Sequence, residues 1–191
     1  MEKITYLDRI IEEDGVKYKY ESKEQNFYYL TLDLPKAPLF KDSSEKINIP
    51  QISIYELLSK YDGRTFTDDP IKSQKRRYKI LRLPKNLILF FKRFDKNLFF
   101  VEKNNTIVTF PIKNLSLEKY VEEKIINCDL KYDLTANIIH DGKPQSGSFR
   151  VQVKNKPNDK WYDIQDLNIN QILAQSVVVS ESYIHIYEGH K

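Results

Sequence analysis

The chain has 191 residues, a net charge of +4 and one cysteine. This length favours one domain, allows two small ones, and is sufficient to bury a core. With 40% hydrophobic and 30% charged residues, the composition excludes a disordered chain. The single Cys128 excludes an internal disulfide framework and fits a reducing compartment. No apolar run reaches the roughly 18 residues of a membrane-spanning helix, and the charged N-terminus does not resemble a secretory signal.

The N-terminal third is predicted to form a helix followed by two strands. Apolar residues at helical spacing predict a short amphipathic helix over Ile4–Glu13, ended by Gly15. We expect it to pack on the domain, and binding of a partner is the alternative. Alternation over Val16–Tyr20 predicts a half-buried strand, and Phe27–Leu34 predicts a stronger one. Its expected inward residues are Tyr28, Leu30, Leu32 and Leu34, or else their neighbours.

Ser53 begins the next predicted helix. Glu56 follows three residues later, which is the spacing of a capping box. The apolar stripe of this helix consists of Ile54, Leu57 and Leu58, so the helix is expected to pack against the core.

A basic cluster follows in the polar stretch Asp62–Tyr78. Its members are Lys72, Lys75, Arg76 and Arg77. Such a cluster can bind the phosphates of RNA. A solvated loop or helix face is the interpretation that we favour, and RNA contact is the alternative.

The middle of the chain reads as a series of strands. The continuous apolar run Leu87–Phe91 predicts a strand buried on both faces. A turn at Asp95–Asn97 predicts a hairpin with Leu98–Glu102. A further strand is predicted over Thr106–Phe110, and a short helix over Leu115–Tyr120.

Cys128 lies in a polar segment with no basic residue beside it. A thiol becomes nucleophilic when neighbouring positive charge lowers its pKa. We therefore expect a structural or surface thiol at this position and not a catalytic one.

The stretch Tyr132–Asp166 reads as strand, turn, strand, turn, strand. After it, Asn168–Leu173 is predicted to form a short helix, and Ser176–Ser180 and Tyr183–Tyr187 are predicted strands. Hairpins join consecutive strands, and the helices are few and short. The sequence therefore predicts an α+β domain built around an antiparallel sheet.

Several of these segments, taken in order, resemble the ubiquitin-specific proteases, which are papain-like deubiquitinases. Leu81–Phe94, LRLPKNLILFFKRF, resembles a segment of that family. Tyr132–Val153 is similar to its histidine box, and Lys160–Asp166 to the following strand. The resemblance implies a papain-like cysteine protease fold. The chain 1–191 would be one partial domain with the palm and fingers of that fold, lacking the N-terminal thumb that carries the Cys box.

At the positions that this resemblance assigns to the catalytic triad, the expected residue types are missing. Ser148 stands where the family has its histidine base, and Gln165 stands where it has the orienting Asp or Asn. The neighbouring carboxylate, Asp166, is retained. His140 matches a non-catalytic histidine, and one cysteine cannot build the family's zinc site. No catalytic residue, metal or cofactor is therefore expected.

The closest likeness is to a protease-inactive branch of the family that acts in pre-mRNA splicing. That branch implies a nuclear interaction scaffold, with proteins of the spliceosomal tri-snRNP as partners and no membrane contact. Weak ubiquitin binding is a further expectation. The alternative is the C-terminal half of an active ubiquitin carboxyl-terminal hydrolase, with a nucleophile from elsewhere and His140 as a surrogate base.

Overall fold

The structure is a computed structural model that describes residues 2–12, 15–36, 49–69, 74–96, 101–121 and 130–190. Within these ranges the chain is mostly strand, with a few helical turns. In chain order the strands are β1 (Glu2–Glu12), β2 (Gly15–Gln25), β3 (Leu30–Asp33), β4 (Gln51–Ser53), β5 (Thr67–Asp69), β6 (Gln74–Ile80), β7 (Asn86–Lys92), β8 (Phe94–Lys96), β9 (Val101–Lys103), β10 (Ile107–Thr109), β11 (Leu115–Ser116), β12 (Lys131–Asp141), β13 (Ser148–Asn155), β14 (Lys160–Gln165), β15 (Asn168–Ile172) and β16 (Ser182–Gly189). The helices are α1 (Ile54–Leu58), α2 (Ala174–Val177) and two 3-10 turns, Ser59–Tyr61 and Glu118–Tyr120.

An eight-stranded sheet organises the fold. Its order is β15-β14-β13-β12-β16-β7-β3, and β11 pairs with β12 beside this path. All neighbours are antiparallel except β3 and β7, which are parallel. The expected α+β class, with an antiparallel sheet and short helices, is confirmed. No helix in the described ranges combines the length and apolar character needed to cross a membrane.

The centre of this sheet forms the core. Leu87, Leu89 and Phe91 of β7 are fully buried, whereas Ile88 and Phe90 between them are half-buried. The strand predicted over Leu87–Phe91 is therefore confirmed, but only one of its faces is fully buried and not both. Burial of each such side chain contributes about 1.5–3 kcal/mol.

Helix α1 covers the core face near β3. Ser53 caps it by accepting a hydrogen bond from the backbone N–H of Tyr55 at 3.3 Å. Its stripe, Ile54, Leu57 and Leu58, is buried in the core, as predicted. In β3, Leu30 and Leu32 are buried, but Tyr28 is 88% exposed, so its predicted inward position is wrong. A bend precedes β3 and places Tyr28 outside the strand.

The predicted N-terminal helix is wrong. Residues 2–12 form β1 in a second sheet of order β2-β1-β6-β5. The pairing with β2 runs from Glu2 to Glu12, and β6 pairs along the other side. Because the segment is rich in β-branched residues, pairing on both sides outweighs a weak helical periodicity. Gly15 begins β2, which includes the predicted strand Val16–Tyr20.

The basic cluster is also placed differently from the prediction. Lys75, Arg76 and Arg77 belong to β6, not to a loop or helix, because β6 pairs with both β1 and β5. Successive residues of a strand point to opposite faces, so Arg76 is separated from Lys75 and Arg77. These residues do not form one basic face. Lys72 lies outside the described residues.

The hairpin expected after β7 is confirmed, since β8 pairs antiparallel with β9. The turn predicted at Asp95–Asn97 is wrong for its first two residues, because Asp95 and Lys96 belong to β8. Residues 97–100 lie outside the described residues, as does Cys128. The strand predicted at Thr106–Phe110 is observed as β10. Over Leu115–Tyr120, a short strand and a 3-10 turn replace the predicted helix.

Near the C-terminus two predictions are reversed. Asn168–Leu173 was predicted as helix, but β15 pairs with β14 through a two-residue turn at Asp166 and Leu167. Ser176–Ser180 was predicted as strand, but the chain forms α2, which buries Val177 in the core. Ser180 ends this turn by donating to the carbonyl of Val177 at 2.7 Å. The strand predicted at Tyr183–Tyr187 is observed as β16.

Candidate functional site

The structure places Ser148 and Gln165 in contact. Ser148 begins β13 and Gln165 ends β14, so both side chains lie at the same end of the sheet. Gln165 Nε2 donates a hydrogen bond to Ser148 Oγ at 3.2 Å. The strand order brings them together although 17 residues separate them in sequence.

Acid–base catalysis is beyond the chemistry of this pair. Imidazole exchanges protons near neutral pH, whereas a serine hydroxyl and a primary amide do not. An orienting Asp or Asn accepts a hydrogen bond from the ring N–H of the histidine base. Here the amide instead donates to a hydroxyl. The contact between Ser148 and Gln165 therefore does not supply the proton chemistry of a base and its orienter.

His140 lies on the opposite face of the sheet from Ser148. The cross-strand partner of His140 is Phe149, whereas that of Ser148 is Asp141. Directly paired residues share a face, and successive residues alternate. His140 is 3% exposed and packs against the rings of Phe94 and Phe149, each 4.9 Å away between centroids.

Two further features keep His140 neutral and covered. Burial lowers its pKa, the nearby Lys103 ammonium lowers it further, and Asp141 only partly opposes them. A Cβ added at Gly147 would lie 2.2 Å from His140 Nε2, so the turn backbone lies directly against the ring. A surrogate base would need access to substrate, and this ring is shielded.

Two turns flank the contact between Ser148 and Gln165, and backbone geometry and side-chain contacts hold them in place. Gly142 has φ of +91°, in the left-handed region, and a Cβ there would come within 3.2 Å of the Gly147 backbone. Lys103 Nζ donates to the carbonyl of His140 at 2.6 Å and pairs with Glu181 at 2.7 Å, so it ties this turn to β9. Asp166, the retained carboxylate, has φ of 53° and is exposed at the β14–β15 turn.

A chain of polar side chains crosses the sheet from the Ser148 end toward the core. Arg150 donates to Asp141 Oδ2 at 2.5 Å and to Asp163. Gln152 Nε2 donates to the same Asp163 oxygen at 3.2 Å. Asn137 Nδ2 donates to Gln152 Oε1 at 3.1 Å. Burial lowers the pKa of Arg150, but the two carboxylates outweigh it and raise that pKa above its usual value.

Beyond this chain lies a buried cationic and aromatic region. Arg93 is fully buried, and its Nη1 donates hydrogen bonds to the carbonyls of Asn104 at 2.9 Å and Thr106 at 2.8 Å. Burial lowers its pKa to about 10, so it stays charged. His185 is enclosed by the rings of Phe91 and Phe110, and burial together with Arg93 lowers its pKa to about 3.

Sequence analysis missed the polar chain and the buried Arg93. Alternation in the β13 sequence, SFRVQVKN, could have placed Arg150 and Gln152 on one face. The carboxylates that pair with them lie on other strands, and no spacing rule identifies those partners. Within the described ranges, no group of three or more His, Cys, Asp or Glu residues is placed to hold a metal.

Comparison with known proteins adds a family and a splicing connection. A family profile described as "Ubiquitin carboxyl-terminal hydrolase" matches residues 8–187. The chain is 45% identical over 178 residues to ubiquitin carboxyl-terminal hydrolase 39 of Homo sapiens, covering 90% of this chain and 31% of that protein. It is 38% identical over 170 residues to "Probable mRNA-splicing protein ubp10" of Schizosaccharomyces pombe, covering 85% of this chain and 34% of that protein.

One solved structure extends the comparison to three dimensions. It is described as an essential yeast splicing factor and matches with a TM-score of 0.65 at 25% identity, covering 99% of this chain and 42% of that one. The chain thus spans about a third of the length of the curated relatives it matches. The fold predicted from the sequence is confirmed by this match.

Proposed function

This chain belongs to the ubiquitin carboxyl-terminal hydrolase family, and we propose that it is a non-catalytic scaffold of that family acting in pre-mRNA splicing. The family membership expected from the sequence is confirmed. The observation that carries the proposal is the contact between Ser148 and Gln165 at 3.2 Å. In this proposal the two residues occupy the degenerate positions of the base and its orienter.

The loss of chemistry leaves the scaffold intact. Strands β13 and β14 would hold a base and its orienter. They pair over five residues, and the start of β13 lies beside the end of β14. Thiol proteolysis needs a thiolate, a base that accepts its proton, and a group that orients the base. Ser148 and Gln165 supply neither of the last two. A framework retained without its proton chemistry supports a binding role.

The splicing role rests on similarity. Two of the similar proteins are described as splicing proteins, one from Schizosaccharomyces pombe and the other a yeast protein of known structure. We infer a nuclear protein whose partners are proteins of the spliceosomal tri-snRNP. The exposed β15 edge and the polar Ser148 end offer surfaces on which such partners could dock.

A deubiquitination assay tests the absence of catalysis. The purified chain is mixed with ubiquitin bearing a C-terminal fluorogenic amide, alongside a Cys128→Ala control. We expect no release of fluorophore above the buffer rate in either sample. Release by the wild-type chain that Cys128→Ala abolishes would overturn the proposal.

A depletion assay tests the splicing role. Nuclear extract depleted of its own homologue by antibody loses splicing of a reporter pre-mRNA, and purified protein containing this chain is then added back. We expect recovery of splicing and of sedimenting tri-snRNP. Failure of the wild-type protein to restore either one would contradict the scaffold role.

The alternative function is the C-terminal part of an active hydrolase, and the family membership favours it. It would need a cysteine from another segment and His140 as base. His140 is buried on the face opposite Ser148, beneath Gly147, and its lowered pKa favours the neutral ring. That geometry is the reason we place this alternative second.

A further inference from the structure

The strand β15 forms an open edge of the eight-stranded sheet. It pairs with β14 on one side, and no other strand in the described part of the chain pairs with it. Asn168 faces Gln165 across a two-residue turn, and the closing pair of such a turn is hydrogen-bonded. Alternation in an antiparallel ladder then directs the backbone groups of Ile169 and Gln171 away from β14. Two N–H and two C=O groups thus line the open edge.

Three apolar side chains along this edge are exposed, and the polar side chains between them are uncharged amides. Leu167 is 97% exposed, Ile169 64% and Leu173 70%. The stretch Leu167–Gln175, LNINQILAQ, has no charged residue, in a chain that is 30% charged. Natural sheet edges are usually blunted by charges, prolines or bulges, because an unprotected edge pairs with other chains. None of these devices occurs within β15.

The other end of the sheet is protected. There β3 has only four residues, and Pro35 follows it closely. Asp33 at its end forms a salt bridge with Lys60 at 2.6 Å. The contrast means that an uncharged, extended edge is a feature of β15 and not of the sheet as a whole.

We propose that the open edge, defined as Leu167–Leu173, binds an extended, uncharged segment of a partner protein as an added strand. The proposal rests on the scaffold function above and names the kind of partner segment that the scaffold holds. Backbone groups of Ile169 and Gln171 supply the hydrogen bonds, as in other cases of strand addition. Apolar residues of the partner cover Ile169 and Leu173, whereas a charged residue against them would lose hydration. The side chain of Gln171, which lies between them, already accepts a hydrogen bond from Lys160 Nζ at 3.1 Å.

A partner segment fits this edge better than a second copy of the chain. Only an antiparallel self-pairing centred on Asn170 keeps both outward residues of each copy within β15, and it places Ile169 of each copy opposite Gln171 of the other. Neither isoleucine would gain an apolar cross-strand neighbour, and such neighbours are the main source of stabilisation between paired strands. A different segment can place β-branched or aromatic residues opposite Ile169.

Amide hydrogen exchange with a model strand tests the proposal. The probe is an acetylated Thr-Val-Thr-Val-Thr-Val-Thr peptide, and its control has glutamate in place of every valine. On the labelled chain, we expect the probe to slow exchange of the Ile169 and Gln171 amides by at least about tenfold. Asn168 and Asn170, which already bond to β14, should change little. Absence of slowing at Ile169 and Gln171, or equal slowing by the control peptide, would overturn the proposal.

Three variants sharpen the test. Ile169→Lys places a charge on the edge, and Gln171→Pro removes an outward N–H at a position where an edge strand tolerates proline. Each should weaken probe binding by at least about tenfold. Tyr28→Lys, which replaces an exposed apolar side chain beside β3 at the protected end, should bind the probe like wild type. Equal loss in Tyr28→Lys would indicate non-specific apolar contact and overturn the proposal.

Two further measurements distinguish a partner segment from a second copy of the chain, and the edge proposal from the scaffold proposal. Slowing that grows with protein concentration without probe, and that Ile169→Lys abolishes, would identify a second copy as the occupant and overturn the partner assignment. In depleted extract, Ile169→Lys should restore less splicing than wild type. If it restores as much, the edge inference alone fails. If wild type restores none, the scaffold function fails whatever the peptide shows.

Discussion

The centre of the eight-stranded sheet and its β13–β15 end are built from different chemistry. At the centre, Leu87, Leu89 and Tyr187 are fully buried, and the hydroxyl of Tyr187 donates to the carbonyl of Pro111 at 2.9 Å. At the β13–β15 end, Ser148 and Gln165 meet in an exposed hydrogen bond. Apolar burial stabilises the first region, whereas hydrogen bonds and ion pairs in contact with solvent dominate the second.

This difference explains how family chemistry can be replaced while the fold persists. Side chains in the packed centre are held by neighbours on several strands, so their replacement costs stability. Ser148 and Gln165 bury little apolar surface, so a change of residue type there alters reactivity far more than folding. The predictions below test this separation, from the largest expected effect to the smallest.

Substitutions of Phe91 and Phe149 compare an aromatic ring in the centre of the sheet with one at its β13–β15 end. Phe91→Ala should lower the free energy of unfolding by about 3–5 kcal/mol, because it leaves a cavity in the buried centre. Phe149→Ala, at a ring that is 55% exposed, should cost about 1 kcal/mol. Urea unfolding monitored by circular dichroism measures both values. Similar losses of unfolding free energy in both variants would contradict the distinction between the centre and the β13–β15 end.

His185 makes the packed centre sensitive to acid. Folding keeps it neutral with a pKa of about 3, whereas the unfolded chain protonates it below its usual value of 6.5. The unfolded state therefore binds more protons between these values, and stability falls as pH falls through that window. The slope is about 1.4 kcal/mol per pH unit.

The variant His185→Phe should lose that contribution while filling a similar space among the surrounding rings. Urea unfolding at pH 7 and pH 5 compares it with wild type. Val179→Ala, which changes an exposed side chain without a titratable group, should retain the slope and serves as the control. An unchanged pH dependence in His185→Phe would show that this residue is not the source.

Substitutions of Asp163 and Asp141 compare two carboxylates that both pair with Arg150. Asp163→Ala should cost about 1–3 kcal/mol, because its side chain is only 18% exposed and it also accepts from Gln152. Asp141→Ala should cost about 1 kcal/mol or less, because its side chain is 48% exposed. Thermal unfolding of both variants checks the ranking, and the reverse order would refute it.

The double substitution Ser148→His with Gln165→Asp should have the smallest effect on stability. Both side chains lie at the solvent-exposed end, so we expect a change within about 0.5 kcal/mol. We also expect no release of fluorophore from the ubiquitin substrate, since a base and its orienter do not replace a nucleophile. A large loss of stability would mean that this end is packed as tightly as the centre.

Sequence patterns predicted the local elements wherever one periodicity was strong. The strand at Leu87–Phe91, the helix capped by Ser53 and the three strands between Tyr132 and Asp166 are all observed. The pattern failed where strand pairing decided the outcome. The segments at Ile4–Glu13 and Asn168–Leu173 have helix-like spacing, yet each pairs along a neighbouring strand. Each pairing satisfies the backbone groups that face the neighbouring strand, whereas a short helix leaves the groups of its first and last turns unsatisfied.

For the candidate site, residue types alone set the chemical limits. Neither a serine at position 148 nor a glutamine at position 165 can replace imidazole as a base near neutral pH. Their contact depends on the register of β13 against β14, and the separation of His140 from them depends on the face to which each residue points. The partners of Arg150 and the open edge of β15 likewise arise only once strands distant in sequence are paired. Local chemistry belongs to each side chain, but proximity and exposure belong to the assembled sheet, because contacts between strands depend on register and strand order.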